Sequence, residues 1–140
     1  MSDAELAFKT GYEFNKKITD AFWSSFKGDY GRVQIEVLVL LSEVKCVQSS
    51  EIVSSLNISK QHVSKIIKEF VSDGYVEVIP NPEDKRSNLI SITETGQKLL
   101  NEHIEISNKA FNEMVSEMNE NERKQFVDAL KTIYSILENH

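Results

Sequence analysis

Apolar residues recur along most of this 140-residue chain at helical spacing and give way to β-branched runs in one region. Phe14, Ile18, Phe22 and Phe26 fall at every fourth position, widened by Leu6, Tyr12 and Trp23, which predicts a helix over residues 3–26. Gly28-Asp29-Tyr30-Gly31 breaks it. Residues 33–44 are apolar nearly all round, the mark of a buried central helix. A short helix over 50–56 follows, with Ser49 or Ser50 as its cap, and Asn57-Ile58 makes a turn. Ser59 is placed to cap a helix over 60–72, whose core side is Val63, Ile66, Ile67, Phe70 and Val71. Asp73-Gly74 ends it, with Gly74 suited to the left-handed position beyond the last turn.

Two β-branched stretches, 75–79 and 89–93, flank Pro80, Asn81, Pro82 and a run of charges, which predicts an antiparallel hairpin with an exposed tip. Thr93 or Glu94 opens a long helix to about Met118, and Asn119 with Glu122 resembles a capping box for a last helix over 120–138. The expected fold class is therefore mainly α with a small β-hairpin wing. A winged helix-turn-helix occupies residues 31–96, and residues 1–30 with 97–140 form a helical dimerisation domain. The apolar stripes of the outer helices exceed what a soluble monomer tolerates exposed, so a two-fold homodimer is expected.

The free side of the helix over 60–72 carries the chemistry. At about 100° per residue, Gln61, Lys65, Lys68 and Ser72 align opposite the core, with His62 and Ser64 beside them. A helix seated on a core with such a face fits a DNA major groove. Residues at its start reach deepest, which makes Gln61, His62, Ser64 and Lys65 the base-edge candidates. Gln pairs bidentately with adenine and Lys with guanine, each worth about 1–3 kcal/mol of discrimination. Lys60 and Lys68 suit phosphates, while Ser49, Ser50 and Ser59 offer hydroxyl or backbone donors at helix starts. Asp84, Lys85 and Arg86 at the hairpin tip complete the set. An arginine on a protruding wing can enter the minor groove, held by a carboxylate two residues earlier. Taken alone, the helix face also fits an ordinary solvated surface, and the tip charges fit edge protection.

The net charge of −6 tempers a nucleic-acid reading, but its distribution matters more. Residues 59–93 carry five basic and five acidic groups, whereas residues 94–140 carry five and nine. Few phosphates are neutralised per subunit, so non-specific affinity should be weak. No apolar run approaches the roughly 20 residues of a bilayer span, and the acidic start MSDAELAFKTG lacks the core of a secretory signal. With one cysteine, Cys46, no intramolecular disulfide is possible, and a cytoplasmic location is expected.

The stretch SEIVSSLNISKQHVSKIIKEFVSDGYVEV, followed by PEDKRSNLISITETG, resembles the MarR family of winged-helix transcription regulators. The resemblance runs from Gln34 to Leu100. Its most specific part is the D-x-R wing at Asp84 and Arg86, then L-x-S-I-T-x-x-G from Leu89 to Gly96. It implies an obligate homodimer on pseudo-palindromic DNA, with the helix over 60–72 in the major groove and Arg86 in the minor groove. Ser64 and Lys65 fall where family members commonly contact DNA; His62 is less typical there. Members often hold a small ligand between the dimer helices and the winged domain, and Tyr12, Trp23, Phe26, Tyr30 and His103 are the candidates to line such an effector pocket. Interface core is the plainer role for each.

Other chemistry is sparse. His62, His103 and His140 are too scattered for a metal site, so no metal or other cofactor is expected. No phosphate loop, nucleophile elbow or metalloprotease motif is present, so no enzyme activity is expected. Cys46, at the end of the buried helix, reads as a small apolar filler. The expected function is a DNA-binding transcription regulator, a repressor acting as a homodimer and released by a small effector. The alternatives are a winged-helix adaptor that binds protein, which the low charge favours, and a thiol-based redox sensor through Cys46.

Overall fold

The computed structural model describes all 140 residues, Met1–His140. The element order is α1 (Asp3–Phe14), a π-type turn (Asn15–Thr19), α2 (Asp20–Ser24), α3 (Arg32–Glu43), α4 (Ser49–Leu56), α5 (Lys60–Ser72), β1 (Val76–Pro80), β2 (Asn88–Ile92), α6 (Glu94–Ser116) and α7 (Glu120–Glu138). The chain forms two compact units: residues 1–22 with 106–140, and residues 23–105.

The single helix expected over 3–26 is instead interrupted. A stripe at every fourth residue drifts by about 40° per step round a regular α-helix. One wider turn, in which the Asp20 N–H bonds to the Asn15 carbonyl, takes up part of that drift. Ile18, Phe22 and Phe26 are all buried. Thr19 Oγ1 donates to the Asn15 carbonyl and to its side-chain oxygen. In the first unit, Phe126 of α7 stacks near Phe14 and Phe111, with ring centroids 6.4 and 6.2 Å away. The long helix α6 ends at Ser116 rather than Met118. Its last turn tightens through Glu117 N–H to Met114 and Met118 N–H to Val115, which frees Asn119 to cap α7. Asn119 and Glu122 exchange side chain-to-backbone bonds, a complete capping box.

The second unit is built on α3. Ile35, Val37, Leu38 and Leu41 meet Ile52 of α4, Val63, Ile66 and Phe70 of α5, and Val76 and Ile90 of the hairpin in one buried core. Each such side chain contributes about 1.5–3 kcal/mol by leaving water. The strands pair antiparallel with Val76 opposite Ile92 and Pro80 opposite Asn88. They lie one residue inside the expected 75–79 and 89–93 at the base because Tyr75 is already committed: its N–H bonds to Phe70 O at 2.9 Å and its carbonyl accepts from Thr93 N–H at 3.0 Å. Pro80 sits at the strand end, where its missing donor costs little.

A third extended piece was not anticipated. Val47 exchanges both backbone hydrogen bonds with Ile90, at 3.0 and 2.7 Å. That bridge keeps the chain extended through Gln48, so the cap of α4 is Gln48, and Ser49 and Ser50 are its first helical residues. Cys46, next to the bridge, is exposed, so it does not fill the core as expected.

Candidate nucleic-acid interface

α5 is bounded by strong local signals. Ser59 is extended at φ −68° and ψ 153°, and its hydroxyl accepts the His62 N–H at 3.1 Å. At the other end Gly74, at φ +81°, lets Tyr75 N–H reach Phe70 O while Gly74 N–H reaches Val71 O. This closes the helix with paired bonds that satisfy its last carbonyls. Asn57, left-handed at φ 53° and ψ 48°, turns the chain from α4 into α5. Gln61, His62, Ser64, Lys65, Lys68 and Lys60 are all exposed on α5. Val71, expected on the core side, is 44% exposed. It lies at the edge of the stripe, where the helical drift turns it outward.

α5 and the hairpin share an open groove of about 530 Å³. Ser64, Lys65 and Lys68 line its helix side, Val78 and Asn88 its wing side, and Ile67, Val71 and Ile90 its apolar wall; half-buried Ser49 of α4 completes it. The recognition candidates and the wing therefore flank one surface. Ser50 is exposed, and its carbonyl accepts from Ser54 Oγ.

The wing tip is organised by a residue the sequence reading passed over. Asn81 is only 8% exposed. Its Oδ1 accepts the Glu83 N–H at 3.0 Å, its Nδ2 donates to Ser87 Oγ at 3.1 Å, and its N–H bonds to Ser87 O at 3.2 Å. Asp84 Oδ1 accepts the main-chain N–H of Arg86 at 3.0 Å and lies 3.7 Å from its Nε. The paired carboxylate-guanidinium bonds expected between them are absent. The carboxylate shapes the backbone instead, and the Arg86 side chain is 95% exposed. Lys85 is exposed beside it.

The sequence and fold of this unit match known proteins. Residues 32–88 match the profile described as the MarR family. The HTH-type transcriptional regulator BilQ of Clostridioides difficile (strain CD3) is 25% identical over 99 residues, 71% of this chain and 67% of its own. The crystal structure of transcriptional regulator Tm0710 from Thermotoga maritima superposes with a TM-score of 0.79 at 18% identity, covering 97% of this chain and 94% of that one. The chain carries a MarR-family domain. Members of that family are DNA-binding transcriptional regulators with the winged-helix fold. A mutant MarR from E. coli, complexed with operator DNA, also shares the fold: TM-score 0.58, 21% identity, 93% of this chain and 91% of that one. This chain spans about two thirds of the length of the curated relatives it matches.

Just beyond the MarR-family match, the L-x-S-I-T-x-x-G stretch has a structural cause. Thr93 Oγ1 donates to Gly74 O at 2.7 Å and accepts from Gly96 N–H at 3.1 Å, which ties the end of α5 to the start of α6. Gly96 is buried against the Tyr75 carbonyl and the Ile92 side chain, and a β-carbon there would collide with both.

The five effector-pocket candidates are dispersed. Phe26 and His103 stack with ring centroids 3.6 Å apart, and His103 Nδ1 lies 2.6 Å from Ser25 Oγ. Burial holds His103 below its ordinary 6.5, partly offset by the Glu102 charge. Trp23 lies under the Arg32 guanidinium at 4.5 Å. Tyr30 packs near Phe70 and Tyr75, and its hydroxyl donates to Asp73 Oδ2 at 2.5 Å. Burial, then the Asp73 carboxylate, push that hydroxyl above its ordinary 10.0, so it remains a donor. Tyr12 is exposed in the other unit, with the Lys16 ammonium 5.8 Å from its ring. No helix is long and apolar enough to cross a membrane.

Proposed function

We propose that this chain acts as a homodimeric, sequence-specific repressor in the cytoplasm, binding pseudo-palindromic operators without catalysis. The observation that carries the reading is the shared groove: Ser64, Lys65 and Lys68 of the capped helix and the wing of Arg86 border one exposed surface. Gln61, His62, Ser64 and Lys65 reach base edges. Ser49, Ser50, Ser59, Lys60 and Lys68 engage phosphates, and Arg86, with Lys85 beside it and Asp84 shaping the loop, enters the minor groove.

The dimer is supported by apolar side chains left on the surface of the first unit. On α1 and α7, Phe8 is 76% exposed and Tyr134 67%, with Leu6, Ile133, Ile136 and Leu137 also open to solvent. A two-fold pairing of those helices covers them. Release by a small effector, through Tyr12, Trp23, Phe26, Tyr30 and His103, is supported by the family resemblance alone.

The test is selection from a random duplex library with the purified protein, alongside sedimentation. Enrichment of an inverted repeat by a dimer is expected. A protein that enriches no sequence over bulk DNA overturns the reading and favours a protein-binding adaptor.

A further inference from the structure

The core side of α5 is apolar, and apolar contact is non-directional, so it resists separation better than rotation. Its two flanks differ. At about 100° per residue, Ser64 and Val71 fall on the flank that faces the wing groove, while Glu69 and Asp73 fall on the other. These two carboxylates lie one turn apart near the C-terminal end of the helix, where the macrodipole disfavours negative charge, and the last turn holds no basic residue. Neither carboxylate serves the core, and neither is on the DNA-reading line of Gln61, Lys65 and Lys68.

Both are held by the segment that opens α3. Tyr30 OH donates to Asp73 Oδ2 at 2.5 Å, and Gln34 Nε2 donates to Glu69 Oε2 at 2.5 Å. Gln34 is itself fixed, because its Oε1 accepts the Gly31 N–H at 2.5 Å. The Tyr30 ring packs on Phe70 of α5 itself and on Tyr75 just beyond that helix. Two neutral donors on a braced loop thus grip two acceptors spaced by four residues on one flank. Hydrogen bonds to a charged acceptor are directional and strong.

We propose that Tyr30 and Gln34 are positioning residues that fix the rotation of α5 about its own axis through Asp73 and Glu69, and so set the aim of its DNA-reading face. This rests on the DNA-binding reading above. A rotation of about 20° would move a side chain tip by about 2–3 Å, enough to break a bidentate base contact while leaving phosphate contacts largely intact. Sequence discrimination, more than overall affinity, is therefore what the pair controls.

The test measures the ratio of affinities for the selected duplex and a scrambled one, with stoichiometric titration to count active protein. Tyr30→Phe keeps the ring and removes the donated bond. Glu69→Ala and Glu69→Gln remove the same negative charge, but only the second retains an acceptor for Gln34. Tyr30→Phe and Glu69→Ala should lower the ratio about tenfold, the scale of one charge-assisted hydrogen bond. Glu69→Gln should stay within about twofold of the parent, because its amide oxygen keeps that contact. Equal ratios for the two Glu69 variants would show an effect of charge alone and overturn the proposal. A lowered melting temperature with the parental ratio in all variants would show a structural role only, and also overturn it. If the parent enriches no duplex, the DNA-binding reading fails first and this one falls with it.

Discussion

Gly96 in the first turn of α6 lies against the carbonyl of Tyr75 so closely that no β-carbon fits between them. The same carbonyl accepts the Thr93 N–H, and Thr93 Oγ1 caps α6 through the Gly96 N–H. The end of α5, the base of the hairpin and the start of α6 thus meet within a few backbone groups. Gly96→Ala forces backbone apart there and should cost about 2–3 kcal/mol, seen as a melting temperature lower by about 5–10 °C. An unchanged melting temperature would show that α6 moves away without penalty.

Asn81 should matter to DNA binding without touching DNA. Removing its side chain leaves the Glu83 N–H and Ser87 Oγ without their present partner and frees the tip that presents Arg86. Asn81→Ala should cost about 1–2 kcal/mol in stability and weaken operator binding. Because it acts through Arg86, the double variant with Arg86→Ala should bind no worse than Arg86→Ala alone. Additive losses in fluorescence anisotropy titrations would separate the two residues.

These two cases mark the limit of what the sequence discloses. Signals that act within a few residues were legible: Ser59 capping at His62, Gly74 closing α5, Asn119 exchanging bonds with Glu122. So was the exposed line of Gln61, Lys65, Lys68 and Ser72, because helical periodicity alone assigns its face. Partners chosen across the fold were not legible. The Val47–Ile90 bridge and the Tyr30–Asp73 bond each join residues 43 apart. Asn81 reads as a generic turn residue until the return strand brings Ser87 beside it. Cys46 failed for the same reason, since the bridge at Val47 carries its neighbour to the surface. Periodicity also misjudged edges: Val71 fits the stripe by spacing yet faces the groove.

The lysines of α5 should divide by role. Lys68→Ala, if Lys68 neutralises one phosphate, should weaken binding to selected and scrambled duplexes alike and reduce the slope of log affinity against log salt by about 0.9. Lys65→Ala should also weaken binding but relax preference at one base pair, a discrimination of about 1–3 kcal/mol. Titrations at four salt concentrations, with single-base variants of the selected duplex, check both. Two indistinguishable profiles would mean that neither lysine reads a base.

His103 makes stability depend on pH in a definite sense. Its ring stacks on Phe26, and Ser25 Oγ lies at Nδ1, where a neutral imidazole can accept the hydroxyl proton. Burial lowers its folded value below the ordinary 6.5, so between the folded and unfolded values the unfolded chain binds more protons. Stability is therefore fully present above about pH 6.5 and falls as the pH drops through the interval down to the folded value. His103→Asn keeps an acceptor near the Nδ1 position and does not titrate. Melting temperatures from about pH 7.5 to 5.5 should fall more for the parent than for this variant. Parallel curves would place the acid sensitivity elsewhere in the chain.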